Sequence, residues 1–380
     1  MEQLNLGVCG TSRKENEYRL AIHPLHLDRI DAGLRARIFL ERGYGERFGV
    51  ADAQLAPLVA GMRSRQQLIA ECEVIMLPKP TEDDIAELRE GQVLWGWPHC
   101  VQDYALTQMA IDRRLTLIAW EAMHYWTAGG SFGGHVFHVN DELAGYCPVL
   151  HSLQLPGATG ASGRRVRAAV VSFGATARGA VTALTALGIV DVTVLTHRNV
   201  PAVAAPIPSV RLLHFEPAAG GPARLVVLAP GGPVPVAEHP ARHDIVVSCV
   251  LQDTGAPLMF VTRDELGLFA PGSLFVDVPC DRGMGFERAR PTSFAEPMFE
   301  VGQAMRYYAV DHSPSCLRDS ATREISEALI PHLRTVMGGP GAWDRDQTIR
   351  RAIEIRDGAI CNPKILSFQR RSAEFPHTRI

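Results

Sequence analysis

The chain has 380 residues, 46% of them hydrophobic and 21% charged, which is ordinary globular composition and enough material for two domains with separate cores. A formal net charge of −3 gives no electrostatic reason to expect nucleic acid or an anionic membrane as partner, and no apolar run approaches the roughly 20 residues of a membrane span. The N-terminus lacks a basic stretch followed by a signal-type apolar run. The eight cysteines are scattered with no C-x-x-C or metal-like spacing, so free thiols in a reducing cytoplasm and no metal site are expected.

From the N-terminus, short apolar runs alternate with helical patterns: Leu6 to Cys9, Leu34 to Leu40, Val74 to Leu77, Val93 to Trp95 and Leu115 to Ala119. That alternation predicts parallel βαβ units. Gly129-Gly-Ser-Phe-Gly-Gly reads as a loop or linker ahead of a helix carrying Glu142-Leu-Ala-Gly.

The next segment is the most informative. Arg167-Ala-Ala-Val-Val-Ser-Phe-Gly-Ala-Thr-Ala-Arg-Gly-Ala-Val, followed by Val192-Thr-Val-Leu-Thr-His-Arg, spells strand, tight turn, helix and second strand. The turn, Ser172-x-Gly174-x-x-Ala177, is a G-x-G-x-x-G variant whose first and third glycines are replaced by small residues. The middle glycine still lets backbone N–H groups approach a pyrophosphate at the helix N-terminus. On this string alone, an ordinary βα turn without a ligand is an equal reading. At the end of the second strand, where an NAD site places Asp or Glu, stand Thr196, His197 and Arg198. A guanidinium pairs with a 2′-phosphate that a carboxylate would repel, so NADPH (NADP+) is the expected cofactor. The plainer alternative is a solvated loop arginine.

Residues Pro201 to Pro240 are rich in Pro and Gly and predict surface loops. Two Val-rich runs, Ile245 to Leu251 and Ser273 to Val278, predict central strands of the same parallel sheet, with Cys249, Val250 and Leu251 on its cofactor side. A helical pattern from Ser320 to Met337 stops at Gly338-Gly-Pro-Gly, and a helix over Thr348 to Arg356 and a short strand near Ala359 to Cys361 complete the chain. The fold expected is α/β, with two Rossmann-like doubly wound domains. A dinucleotide-binding domain over 136–311 is inserted in a discontinuous catalytic domain made of 1–135 and 312–380.

In open α/β sheets ligands sit outside the carboxyl ends of strands, so ionisable groups there are the candidates for chemistry. Four stand out: Arg19 after the first strand and its polar loop, Lys79 between Pro78 and Pro80, His99 closing Val93-Leu-Trp-Gly-Trp-Pro, and Asp281 closing Leu274-Phe-Val-Asp-Val-Pro-Cys. Taken singly, each has a plainer role, because strand-end cations are most often solvated and a lone histidine is most often structural.

The string Lys14-Glu-Asn-Glu-Tyr-Arg-Leu-Ala-Ile-His-Pro, Lys79-Pro, the aromatic strand ending at His99 and Val276-Asp-Val-Pro-Cys-Asp resemble, in matching order, the alanine dehydrogenase and transhydrogenase family. Phe137-His-Val-Asn-Asp-Glu-Leu-Ala-Gly-Tyr-Cys, Gly283-Met-Gly-Phe-Glu, Ala309-Val-Asp-His-Ser-Pro-Ser and the run from Asp357 to Gln369 are most similar to its carboxyethylornithine synthase branch. The resemblance implies that Arg19 holds a substrate carboxylate, Lys79 the oxo acid, His99 works as acid and base, Asp281 is the active-site aspartate, and Ser172, Gly174 and Ala177 form the nucleotide turn. It also implies a homo-oligomer.

The chemistry so implied joins the amine of an amino acid (ornithine- or lysine-like) to a small 2-oxo acid, loses water to an imine, and adds hydride from NADPH. His99 suits the proton steps because an imidazole ordinarily titrates at about 6.5. The same four groups suit ammonia as amine, which is alanine dehydrogenase chemistry. A larger amine needs more room, for which His135, His138 and Asp311-His-Ser-Pro-Ser are candidate lining residues. A third reading is a nucleotide-binding regulator that kept the fold without the chemistry.

Overall fold

In this computed structural model the described residues are 3–157, 159–160, 162–198, 207, 210–217, 225–229 and 231–380. They fall into two compact units, Met1–His138 with Leu317–Ile380, and Val139–Cys316. In chain order the first unit contributes β1 (Leu6–Val8), β2 (Ile38–Glu41), β3 (Gly61–Arg63), β4 (Val74–Leu77), β5 (Val93–Gly96), β6 (Thr116–Ala119), β7 (His124–Trp126) and β8 (Phe132–His135). The second holds β9 (Arg167–Val171), β10 (Asp191–Thr196), β11 (Val210–Pro217), β12 (Leu225–Ala229), β13 (Gly232–Pro235), β14 (Ile245–Ser248), β15 (Met259–Val261), β16 (Leu274–Asp277), β17 (Gly285–Phe286), β18 (Met298–Val301) and β19 (Met305–Tyr308). The chain then returns to the first unit with β20 (Ile353–Arg356) and β21 (Ala359–Ile360).

The first sheet runs β21-β20-β6-β5-β4-β1-β2-β3, parallel from β3 to β6, with β20 and β21 antiparallel at one edge. Its six parallel strands therefore follow the order 3-2-1-4-5-6, the doubly wound arrangement. Every residue of β4, β5 and β6 is buried, which is why they read as unbroken apolar runs. Within β4, Val74 and Met76 join the core that includes helix Arg318–Leu329, while Ile75 and Leu77 face the layer of Leu68, Ile85 and Leu106. The period of 2 along the strand thus feeds two separate cores.

Three elements of this unit differ from the sequence pattern. The helix anticipated from Ser320 to Met337 is broken into Arg318–Leu329 and Leu333–Met337 by a 3-10 turn, Ile330–His332, because Pro331 has no N–H to continue the ladder. The helix anticipated over Thr348 to Arg356 keeps only Gln347–Ala352; Ile353–Arg356 is β20, whose Ile353 and Ile355 are buried against β6. Sheet pairing overrides local helix preference there. The Gly129 to Gly134 segment closes the antiparallel hairpin of β7 and β8 rather than linking domains.

The second sheet runs β13-β12-β11-β10-β9-β14-β16-β19-β18, and its parallel strands, β11 to β19, repeat the 3-2-1-4-5-6 order. The region from Pro201 to Pro240, expected as loops, supplies three strands among its described residues. β11 joins β10 in parallel, and β12 and β13 add an antiparallel hairpin whose Leu225 and Val227, with Phe215, are buried. The apolar runs Val210-Arg-Leu-Leu and Leu225-Val-Val-Leu carry this pairing past the surrounding prolines. Residues 199–206, 208–209, 218–224 and 230 of that region lie outside the described residues.

Helix His138–Gln154 crosses helix Ala175–Ala186 at two glycines. A Cβ at Gly145 would stand 1.7 Å from the Thr176 carbonyl oxygen, and one at Gly179 would stand 1.8 Å from that of Glu142. The helices therefore touch backbone to backbone. At the carboxyl end of β16, Asp277 is buried and accepts the Tyr307 hydroxyl at 2.6 Å. Burial pushes this carboxyl up to about 7, against the opposing hydrogen bonds from Tyr307 and Ser248. No helix among the described residues is long and apolar enough to cross a membrane.

Gly145→Ala and Gly179→Ala are expected to destabilise by about 2 kcal/mol each, since an overpacking cost of up to about 3 kcal/mol outweighs a helix-propensity gain of about 1 kcal/mol. Urea unfolding checks this. For Asp277 the folded pKa lies above the unfolded one, so its contribution is full below about pH 4 and is lost as pH rises through about 7. The unfolding free energy of Asp277→Asn should gain on that of the native chain across this window, and a constant difference would contradict the assignment.

Candidate active site

The carboxyl ends of β1, β4, β5 and β6 lie on one edge of the first sheet because these strands are parallel. Each end delivers a polar group. After β4, Pro78-Lys79-Pro80 is held by a Trp97 N–H to Pro78 carbonyl bond of 2.9 Å and by the Ser12 hydroxyl, which donates to the Lys79 carbonyl. After β5, His99 takes φ +48, the left-handed region that a non-glycine residue rarely occupies. Its Nε2 lies 3.1 Å from Lys79 Nζ.

After β6 comes Glu121, whose Oε1 accepts the His99 N–H at 2.7 Å and lies 3.6 Å from His99 Nδ1. Burial, together with the neighbouring Glu354, holds the Glu121 carboxyl above the usual carboxylate range. The Oε2 atoms of both glutamates are buried without a hydrogen-bond partner. The site therefore places an ammonium, an imidazole and a protonatable carboxyl in sequence. Groups so arranged are suited to passing a proton.

Arg19 belongs to the same unit and is buried. Glu17 takes its guanidinium in a two-point pair, Nε to Oε1 at 2.8 Å and one Nη to Oε2 at 2.5 Å, and the guanidinium carbon lies 5.1 Å from the centre of the Trp97 ring. The Trp97 ring packs edge-on to Trp120 at 4.7 Å. Glu17 thus takes one edge of the guanidinium, and the Trp97 ring fixes its place beside the sheet edge.

The first sheet thus brings together Lys79 and His99 and carries Arg19. Asp281 is on the other unit, four residues beyond the end of β16. It follows Cys280, which has φ +61 and whose thiol donates to the carbonyls of Asp277 and Ala309 at 3.3 and 3.2 Å.

The nucleotide turn follows β9. Ser172 takes φ +89, the conformation that makes glycine usual at this position, and its N–H donates to the Leu195 carbonyl at 2.7 Å. Gly174 caps helix Ala175–Ala186 without a side-chain hydrogen bond, and a Cβ built on it would meet nothing within 4 Å. Ala177 is fully buried, the small residue that close helix packing needs. The open glycine and the uncapped helix N-terminus fit a phosphate.

Beyond β10, the buried Thr196 accepts the Arg198 N–H at 3.1 Å, and the Arg198 carbonyl meets His214 Nδ1 at 3.1 Å. His197 and Arg198 are exposed. Cys249 and Val250 are buried, whereas Leu251 is 92% exposed.

Sequence reasoning passed over Glu17, Ser12 and Glu121. Glu121 met the criterion used for the others, an ionisable group just past a strand. Glu17 sat two residues from Arg19 inside a string already singled out.

A model of the alanine dehydrogenase/PNT N-terminal domain matches residues 10–132, and one of the C-terminal domain matches residues 223–363. The alanine dehydrogenase of Halomonas elongata is 26% identical over 360 residues, covering 91% of this chain and 92% of its own. The N(5)-(carboxyethyl)ornithine synthase of Clostridium botulinum is 22% identical over 328 residues, covering 84% of this chain and 90% of its own. Among solved structures, an L-alanine dehydrogenase superposes with a TM-score of 0.73 at 19% identity, covering 96% of this chain and 99% of its own, which shows the shared fold. The strand order of both sheets, the edge groups and the two matched domains lead to one conclusion: the chain belongs to the alanine dehydrogenase/PNT family of nicotinamide-dependent oxidoreductases acting on amino acid C–N bonds.

Proposed function

We propose that the protein reductively condenses a small, pyruvate-like 2-oxo acid with the amino group of an ornithine- or lysine-like amino acid, using NADPH and giving an N-(carboxyalkyl) amino acid. The observation that carries this reading is the Lys79 to His99 contact of 3.1 Å on the sheet edge. In the first unit, Arg19 offers the 2-oxo acid carboxylate a fork held in place by Glu17 and Trp97.

Lys79 places positive charge by the carbonyl oxygen and holds the Nε2 side of His99. His99 protonates the hydroxyl that leaves as water when the imine forms, and takes a proton back from the incoming amine. Glu121, held above the usual carboxylate range by burial, stands next in line for that proton. Asp281 is assigned to the amine, whose iminium it stabilises.

The second unit is assigned to the cofactor. Gly174 and the helix start would hold the pyrophosphate, and Arg198, with no carboxylate at the end of β10, would take the 2′-phosphate. When bound, the dinucleotide supplies the hydride that reduces the imine.

A second reading takes ammonia as the amine. It is favoured by the longer alignments of the alanine dehydrogenases, at 91% of this chain for Halomonas elongata and 93% for Mycobacterium tuberculosis, against 84% for the carboxyethylornithine synthase.

Oxidation of NADPH with pyruvate and a panel of amines separates the readings. Turnover with ornithine or lysine exceeding that with ammonia is expected, turnover with ammonia alone would install the second reading, and none with any amine would remove both. Arg198→Ala should raise KM for NADPH by about tenfold while leaving KM for NADH unchanged, the loss of roughly one charge-assisted contact. Equal effects on the two cofactors would count against the 2′-phosphate contact.

A further inference from the structure

We propose that Gln369 is a positioning residue: its side-chain amide reaches from the C-terminal segment to the loop after β5 and holds His99 in the backbone conformation that aims its imidazole at Lys79. This rests on the acid–base assignment of His99 made above. Gln369 ends helix Pro363–Gln369 and is fully buried, although it stands 270 positions from His99 in the chain. Its Nε2 donates to the Cys100 carbonyl at 2.7 Å and lies within 3.3 and 3.4 Å of the carbonyls of Asp103 and Val101, with Thr107 Oγ1 at 3.2 Å. One amide thus spans the carbonyls of the turn that begins at His99.

The amide is itself fixed from behind. Its Oε1 accepts Arg371 Nε at 2.6 Å, and the buried Arg371 donates from Nη1 to Gln108 Oε1 at 2.7 Å and to the His377 carbonyl at 3.2 Å. The orientation of Gln369 is therefore settled, with the NH2 group towards the loop and the oxygen towards arginine. A carboxylate at this position would turn acceptors towards the Cys100 carbonyl.

The need for such a tie follows from His99. A non-glycine residue at φ +48 is strained and persists only where its surroundings over-determine it. On its own side of the loop the ties include the Glu121 acceptor for the His99 N–H, the bonds of 3.2 Å from the N–H groups of Gln102 and Asp103 to the His99 carbonyl, and the Thr107 hydroxyl, which donates to the Cys100 carbonyl at 2.8 Å. These fix the turn locally without setting where it sits above the sheet. Gln369 does that, by bonding the carbonyls of the residues that follow. Without the amide, the carbonyls of Val101 and Asp103 lose a donor and that of Cys100 keeps only the Thr107 hydroxyl, so the loop gains by relaxing towards water with the imidazole.

The test compares Gln369→Leu, which keeps volume without donors, and Gln369→Asn, which keeps the amide and shortens its reach. Histidine-ring nitrogen NMR and the pH profile of kcat/KM are recorded on the full-length protein, with His99→Ala identifying the ring signal and the pH limb that belong to His99. Expected are a moved His99 ring signal, a displaced pH limb, and a kcat lowered about tenfold or more with cofactor KM unchanged, as a misplaced catalytic group gives. A His99 signal and pH limb identical to those of the native chain in a folded variant would overturn the proposal, leaving Gln369 a tail anchor only. Should Gln369→Leu not fold, Gln369→Asn decides by the same two readings. Native turnover in His99→Ala would overturn the acid–base assignment alone, and the ring signal in the Gln369 variants would still decide whether this amide holds the imidazole.

Discussion

Parallel pairing is the constraint on which the rest is built. In a parallel sheet every strand ends on the same edge, and the crossovers that make this possible cover both faces with helices, leaving that edge as the place where polar groups collect. In the first unit, β1, β4, β5 and β6 share this direction, so Ser12, Lys79, His99 and Glu121 arrive together from four separate segments of the chain. The second unit repeats the strand order, and there the same edge carries the turn at Ser172 to Gly174 and the buried Asp277.

Three of the non-glycine residues with positive φ fall on these edges. His99, Ser172 and Cys280 each take positive φ without being glycine, and each stands just past a parallel strand at or beside a candidate site residue. Conformations of this kind need neighbours that leave no alternative. For Ser172 the neighbour is the Leu195 carbonyl, for Cys280 a thiol bonded to the carbonyls of Asp277 and Ala309, and for His99 the Glu121 carboxyl. Each case exchanges local stability for the direction in which a side chain or N–H group points.

Burial of carboxyl groups beside the edges adds a second theme. Asp277 and the pair Glu121 and Glu354 are all held above the ordinary carboxylate range, chiefly by loss of water. Asp277, pushed up to about 7, exchanges a proton near neutral pH. In the proposed reaction Glu121 adjoins the His99 imidazole that handles protons, whereas Asp277 accepts the Tyr307 hydroxyl inside the second unit.

The sequence by itself determined the class of the fold and marked the candidate residues at the strand ends. Fully buried parallel strands must be continuous apolar runs, so β4, β5, β6, β9, β14 and β16 announce themselves, and the residues after them are candidates by position alone. The Gly174 turn and the absence of a carboxylate after β10 were likewise plain. Only the tertiary structure decided β20, whose Ile353 and Ile355 suit a helix until β6 offers them a place, and the β11 to β13 strands inside a proline-rich stretch. It also decided that Arg19 pairs with Glu17, that Glu121 backs His99, and that Gln369 bonds the loop after β5. Periodicity and turn chemistry are local, readable within a few residues; a partner that a buried arginine, imidazole or amide finds across the chain is set by packing, to which no short window of sequence has access.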